Sequence, residues 1–336
     1  LFVIPGDGQG HSMIFARRQA EALASREIAI ELFHLRSRTS PIELWREGLR
    51  LRRMLREFEP DLVHAHFGTV TGLFTVLASR PIPAVVTYRG SDLNDVPTTA
   101  GPRAWLGRIL SQLAMLGVAG AVCVSPQLRS RLWWRRSLVR VVPSGVDTNV
   151  FCPQPRDEAR RALGWPVDRP VVLFNLGRGG ANKRLDLAQA AMELVRAEIP
   201  DATLEVLDGN VPPAMIPLWM NAADCLLLTS DAEGSPTVIQ EALATNLPVV
   251  SVATGDVAYR LCGVAASHIV PRDPGSLANA VIGVLQDEKR SDGRAHVAAV
   301  SSENVTTQLI ELYRDVTAGV APAKSLTWNI TCSSPR

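Results

Sequence analysis

Short apolar runs rich in β-branched residues alternate along the chain with longer stretches whose apolar positions recur at helical spacing. In the first half, the runs at 2–4, 29–35, 62–65, 84–88, 121–124 and 140–142 predict strands. Amphipathic stretches such as 12–24 and 41–58 lie between them and predict helices. The second half starts the pattern again, with strands expected at 171–176, 203–207, 225–229, 248–252 and 268–270 and helices at 184–198, 237–245 and 274–287. Such alternation predicts parallel sheets covered by helices, and the restart predicts two of them. The fold class expected is therefore α/β, with two doubly wound Rossmann-like domains facing a cleft. A chain of 336 residues suits two domains.

The expected boundaries are an N-terminal domain over 1–150, a linker over 151–170 with four prolines, and a C-terminal domain over 171–302. Residues 303–316 could form a closing helix that crosses back onto the first domain, and the small, polar tail 317–336 is expected to be mobile. In such sheets ligands bind at the carboxyl ends of the strands. Residues that follow strands are therefore the candidates for chemistry.

Composition excludes several classes. Hydrophobic residues make up 46% and charged residues 20%, a globular balance that excludes a disordered or collagen-like chain. The longest apolar run, 113–124, is broken by glycines and falls short of the about 20 residues a membrane span needs. No basic leader precedes the apolar start, which argues against a signal peptide, and the missing initiator Met suggests a clipped first strand. The five cysteines are scattered without a CxxC pair, in keeping with a reducing, cytoplasmic compartment. Net charge is +2, yet residues 1–150 carry 19 Arg and 12 acids (+7) while 151–336 carry 16 basic residues and 21 acids (−5). The basic half suits an anionic partner: nucleic acid, phospholipid or a phosphorylated acceptor.

The segment 231–251, DAEGSPTVIQEALATNLPVVS, carries the strongest signal. A strand ends, a polar loop follows, and a helix opens near Thr237, with Ser235 as expected cap and Pro236 in the first turn. Amides around Gly234, Ser235 and Thr237 would then point at a phosphate. Glu233 in the loop and Glu241 on the helix could accept hydrogen bonds from sugar and ribose hydroxyls. Arg178 and Lys183 share the loop after the second half's first strand, where two cations could stabilise a diphosphate leaving group. The loop 6–10, GDGQG, follows a strand, but His11 stands where a dinucleotide fingerprint needs glycine.

These segments jointly resemble the retaining "group 1" glycosyltransferases of the GT-B fold. The spacing of Glu233 and Glu241 is similar to their Glu-x7-Glu motif, and 143–151 (PSGVDTNVF) to their PNGVD–F junction. DLVHAH (61–66), VVTYRGSDL (85–93) and GRGGANK (177–183) resemble further family segments, and the matches cover roughly residues 1–290. The resemblance implies a nucleotide-diphospho-sugar donor, no cofactor and no metal. It places Glu241 at the ribose, Arg178 and Lys183 at the diphosphate, and Glu233 with the amides after it at the donor sugar. It places Gly8 and Gly10 under the donor phosphate, and His11, His66, Arg89 and Asp92 on the acceptor side. It implies hexosyl transfer to a glycan or lipid-linked hydroxyl in cell-surface polysaccharide or glycolipid synthesis.

The sequence also departs from that family. Arg89 replaces its usual His, and a permanently charged guanidinium is no general base. Ser144 replaces an Asn, and the chain is short between Leu207 and Met220. A nucleotide-sugar epimerase of the same fold and a non-catalytic nucleotide-sugar-binding protein are the alternatives. His64 and His66 share one strand face, without a visible third metal ligand. The stretch 127–140, QLRSRLWWRRSLVR, fits either an anionic membrane surface, which would make the protein peripheral on the inner face, or a surface helix with inward tryptophans. Nucleic acid fits less well, because no nucleic-acid module accompanies the charge.

Overall fold

The computed structural model of the chain describes residues 1–8, 13–95, 101–177 and 180–321. It divides into two compact units. Among the described residues, one unit holds Leu1–Asp95, 101–144 and 302–321; the other is Gly145–Ser301.

The first unit holds strands β1 (Phe2–Pro5), β2 (Leu32–Leu35), β3 (Val63–His66), β4 (Ala84–Tyr88), β5 (Gly120–Cys123) and β6 (Val139–Val141). They pair in parallel in the order β2-β1-β3-β4-β5-β6. Helices α1 (Ile14–Ala24), α2 (Pro41–Phe58), α3 (Thr69–Ala78), α4 (Pro102–Ala114) and α5 (Pro126–Ser130) connect them. Side-chain alternation divides the sheet's two faces between separate cores: Leu1 and Val3 pack with Phe33 and Leu51, while Phe2 and Ile4 pack with Ala16 and Leu23.

In the second unit, α6 (Arg156–Leu163) precedes β7 (Val171–Asn175), α7 (Leu185–Glu198), β8 (Thr203–Leu207), α8 (Ile216–Ala222) and β9 (Cys225–Leu228). Then come α9 (Thr237–Ala244), β10 (Val249–Val252), α10 (Val257–Arg260), β11 (His268–Val270) and α11 (Pro274–Asp287). The parallel sheet order is β11-β10-β9-β7-β8. Val171, Leu173, Leu226 and Leu228 face one core and Val172, Phe174, Cys225 and Leu227 the other. Both units are thus doubly wound α/β sheets, as the sequence pattern predicts.

The stretch 151–170, expected as a linker, is an integral part of the second unit. Arg160 on α6 is buried, with Nε donating to the Ala222 carbonyl at 2.8 Å. Asp224 accepts from Arg156 and Arg160 and from the Val171 amide, which pins α6 to the start of β7. Pro155 stands at the start of α6, and Gly164, with φ +69°, ends it.

The last helix, α12 (Ser302–Thr317), returns to the first unit. Its Val305, Leu309, Leu312 and Tyr313 join the core of Phe2, Ile4 and Leu23. Arg140 at β6 is buried and donates to the Gln308 carbonyl, with Glu311 and Asp315 as ion-pair partners at 3.3 and 3.0 Å.

Candidate active site

Loops at the carboxyl ends of β7, β9 and β10 meet in the second unit. Asn182 ties two of them together: its Nδ2 donates to the Ala232 carbonyl at 2.9 Å and its Oδ1 accepts from the Ala232 amide at 3.2 Å. The Asp231 amide donates to the Asn182 carbonyl at 2.8 Å. Thr229 Oγ1 lies 2.9 Å from the carbonyls of Lys183 and Arg184. Asp231 in turn pairs with Arg184 and Arg272 at 3.2 and 3.1 Å. This lattice brings Lys183 to Glu233, with Nζ 2.7 Å from Oε1 and both side chains mostly buried. The two residues that sequence reasoning assigned to neighbouring groups of one ligand are in direct contact.

Past Glu233 the backbone turns into α9. Ser235 was expected to cap this helix, but Pro236 occupies the cap position and makes no side-chain cap bond. The Ser235 hydroxyl is engaged elsewhere: it donates to Asp256 Oδ2 at 2.9 Å and accepts from Gln240 Nε2 at 3.0 Å. Arg260 Nε pairs with the same Asp256 oxygen at 2.9 Å. Asp256 is fully buried, and burial raises its carboxyl above the ordinary range while Arg260 opposes the shift. Gly255 has φ +54° and presses on the loop from behind, for a Cβ there would come within 2.7 Å of the Gly234 carbonyl oxygen. That carbonyl turns toward Gly255, so in a trans peptide the next N–H, that of Ser235, points the opposite way. The Ser235 N–H, just before α9, thus faces away from Gly255. Glu241 sits half-buried on α9, a turn beyond Thr237.

Gly255, Asp256, Gln240, Arg260 and Asn182 are site-building residues that sequence reasoning missed. Only Gly255 left a signal, a glycine just past an expected strand. Arg178 lies outside the described residues, as do Gly10 and His11.

In the first unit, Gly8 has φ +85°, and a Cβ on it would lie 3.0 Å from the His34 ring, a close approach that only glycine permits. His64 and His66 do share a face, with rings stacked 4.4 Å apart, and both are buried. His64 is held by the Tyr313 hydroxyl at 2.6 Å and Thr87 Oγ1 at 2.7 Å. Burial, reinforced by the charge on Arg89, pushes both imidazoles well below their ordinary pKa. No cluster of three metal-binding side chains occurs among the described residues. Arg89 lies 3.2 Å from His66 Nδ1 through Nη2. Asp92 is turned inward: its carboxylate accepts from the amides of Gly68, Arg89 and Gly90 at 2.8–3.1 Å and holds the loop after β4. Structure thus brings His66 and Arg89 together and gives Asp92 a bracing position behind them.

The stretch 127–140 is not one surface helix. It comprises α5, a loop and a short 3-10 turn at Arg136–Leu138. Trp134 packs inward and donates to the Gln112 carbonyl at 3.0 Å, whereas Trp133 is 57% exposed. No helix among the described residues is long and apolar enough to cross a membrane.

Two doubly wound, Rossmann-like units are the architecture of the GT-B class of glycosyltransferase fold. The fold of sucrose-phosphate synthase from Thermosynechococcus elongatus superposes with a TM-score of 0.75 at 19% identity, covering 94% of this chain and 99% of that one. Anabaena Alr3699/HepE, solved in complex with UDP, gives 0.72 at 16% identity, with the same coverage. The family description "Glycosyltransferase Family 4" matches residues 7–150, and "Glycosyl transferases group 1" matches 206–287. Each unit thus matches a glycosyltransferase family model. It is 28% identical over 246 residues to Bacillus subtilis TuaC, named for teichuronic acid biosynthesis, covering 67% of this chain and 61% of that protein. It is 31% identical over 207 residues to a D-inositol 3-phosphate glycosyltransferase of Mycolicibacterium smegmatis, covering 53% of this chain and 48% of that protein.

Proposed function

We propose that the protein is a retaining hexosyltransferase that moves a sugar from a nucleotide-diphospho-sugar to a hydroxyl on a glycan or lipid-linked acceptor, in cell-surface polysaccharide or glycolipid synthesis. The observation that carries this reading is the meeting of Lys183, Glu233 and the amide-bearing start of α9 at the strand ends of one sheet. Solved UDP and UDP-glucose complexes of Alr3699/HepE support a donor of this kind. In the reaction, the bond from the sugar's anomeric carbon to the diphosphate oxygen breaks. The acceptor oxygen bonds to the same face of that carbon, and its proton passes to the departing phosphate oxygen. Charge grows on the diphosphate as the bond lengthens. In this reading Lys183, Arg178 and the amides before α9 offset that charge. Glu241 takes the ribose hydroxyls, and Glu233 the donor sugar's. His66 and Arg89 belong to the acceptor side, on the first unit.

The acceptor's lipid, in this reading, lies in an anionic membrane surface that the first unit touches. Trp105, Leu113 and Leu116 are exposed along α4 and just past its end. Exposed Trp133 is held beside them, its amide donating to Gln112 Oε1 at 3.0 Å. Between Asp95 and Asp147 the chain has no acid and, besides the buried, ion-paired Arg140, six arginines. A basic face bearing exposed tryptophans suits anionic headgroups.

The test is a panel of nucleotide-sugars scored by thermal stabilisation, since a ligand at about 100 times its Kd adds roughly 2.7 kcal/mol. Transfer of the hit's sugar to an acceptor, with its anomeric configuration kept, supports the proposal. Free epimerised nucleotide-sugar without acceptor would instead identify an epimerase, and binding without turnover a binding protein.

A further inference from the structure

Arg89, just past the end of β4, makes no ion pair through its side chain among the described residues. Its guanidinium lies over the Phe15 ring, 3.8 Å from the centroid. Its other partners are Ser144 Oγ at 3.4 Å, Gln19 Oε1 at 3.5 Å and His66 Nδ1 at 3.2 Å. These groups are neutral, and the distances lie at the long end of the hydrogen-bond range. Asp92, the acid on the same loop, directs both oxygens to backbone amides. No carboxylate lies within ion-pair distance of the Arg89 side chain among the described residues. Arg140 and Arg160 do have carboxylates, Glu311 and Asp315 for the one and Asp224 for the other, while Arg290 is held by the backbone carbonyls of Ala223, Met220 and Thr245.

A cation taken largely out of water without a counter-ion is costly. Here burial pulls the guanidinium down to about 9, and the charge of Asp92 opposes that shift only in part. Two further buried atoms in the cluster, Arg89 Nε and His66 Nε2, have no hydrogen-bond partner. The cluster gathers residues from the ends of β3 and β4 and from just past β6, together with two from α1. That is the edge of a doubly wound sheet where ligands bind.

We propose that Arg89 reads an anionic group, a carboxylate or a phosphate ester, carried by the substrate. Both groups match the planar fork of a guanidinium. The anion would supply the counter-ion that the fold omits, so a neutral substrate of the same shape would leave the charge uncompensated. This rests on the transferase reading. The anion has two possible sources: a uronate as the transferred sugar, or a phosphorylated acceptor.

The experiment uses the full chain and isothermal calorimetry. One arm compares the glucuronate and glucose esters of whichever nucleoside diphosphate stabilises the chain best. A second compares glucose 6-phosphate with glucose, with and without that nucleoside diphosphate. Wild type, Arg89→Lys and Arg89→Gln are measured in each. We expect the charged probe of one arm to bind wild type roughly tenfold or more tighter than its neutral counterpart, Arg89→Gln to abolish that ratio, and Arg89→Lys to keep part of it. Preference in the first arm identifies the donor sugar as the source, and in the second arm the acceptor. Equal binding of charged and neutral probes in both arms overturns the proposal. So does a preference that survives Arg89→Gln, or an Arg89→Gln variant that weakens every probe alike, as a merely structural arginine would. If no nucleoside diphosphate binds, the transferase reading fails, and the sugar-phosphate arm still decides the role of Arg89.

Discussion

Replacing Lys183 by Ala separates the chemical from the structural contribution of the Lys183–Glu233 contact. Lys183 Nζ is 2.7 Å from Glu233 Oε1, with side chains 21% and 15% exposed. Hydrogen bonds to charged groups contribute about 1.5–3 kcal/mol, and a partly solvated pair belongs at or below the lower end. Against a stability of about 5–15 kcal/mol the fold should survive. A domain the size of the second unit loses about 2–4 °C in Tm per kcal/mol. The transition state loses more. A cation beside a leaving diphosphate holds it more strongly as its charge grows, and removing one such donor costs about 2.7–4 kcal/mol. We therefore expect kcat to fall by on the order of 10²-fold or more while Tm drops by only a few degrees. Arg178 acts on the same diphosphate in the proposed mechanism, so the double variant should be non-additive. Lys183→Arg should restore part of the rate, limited by the different placement of its charge. Saturation kinetics with the donor found by the nucleotide-sugar panel, beside thermal unfolding, make the measurement. Near wild-type kcat and KM in Lys183→Ala would refute the reasoning, as would a loss of activity accounted for by unfolding alone.

Glu241→Gln should raise the donor's KM and leave kcat nearly intact, because a ribose contact does not change in the transition state; a large kcat loss at saturating donor would reassign this residue. Gly255→Ala should destabilise the protein by about 1–2 kcal/mol from its left-handed backbone alone. It should also weaken nucleoside diphosphate binding, since the new Cβ collides with the Gly234 carbonyl; unchanged calorimetric affinity would show that Gly255 does not position the cradle. His64 and His66 stay neutral in the folded protein but take up protons when unfolded below about pH 6.5. Their contribution to stability is therefore intact above that pH and declines as pH falls toward their depressed native values, by up to about 1.4 kcal/mol per unit for each. Denaturant midpoints between pH 7.5 and 5.5 should show a shallower decline for His64→Gln; identical slopes would refute the assignment.

The doubly wound architecture was legible because fully buried parallel strands appear in sequence as short apolar runs between amphipathic helices. A cap residue before proline marks several helix starts, a signal that sequence reasoning read only at Ser235-Pro236. Ser40, Ser125 and Asp273 each stand before a proline and accept from the amide three residues on. Ser235-Pro236 has the same local pattern but behaves differently, because buried Asp256 takes the Ser235 hydroxyl. Asp256 lies 21 residues away, so no local rule could reveal the competition. The prolines of 151–170 misled for the converse reason: they suggest a linker, whereas Asp224 reaches back from just before β9 to fasten α6. Lys183 and Glu233 were legible singly by spacing. That they form one pair depends on Asn182 lacing two loops 50 residues apart.

The return of α12 has a consequence for the order in which the protein is made. The core around Phe2, Ile4 and Leu23 includes Val305, Leu309, Leu312 and Tyr313, and buried Arg140 finds its carboxylates only on α12. A ribosome adding about 5–20 residues per second needs roughly 10–35 s to go from Ser144 to Thr317. Throughout that interval the first unit's sheet is complete in strands, yet one face still exposes apolar side chains and an unmatched guanidinium. The unit that emerges first is thus finished last. Its nascent form, rather than the finished enzyme, is the species that needs protection from aggregation, and a chain stopped after Ser301 would retain that exposed face permanently.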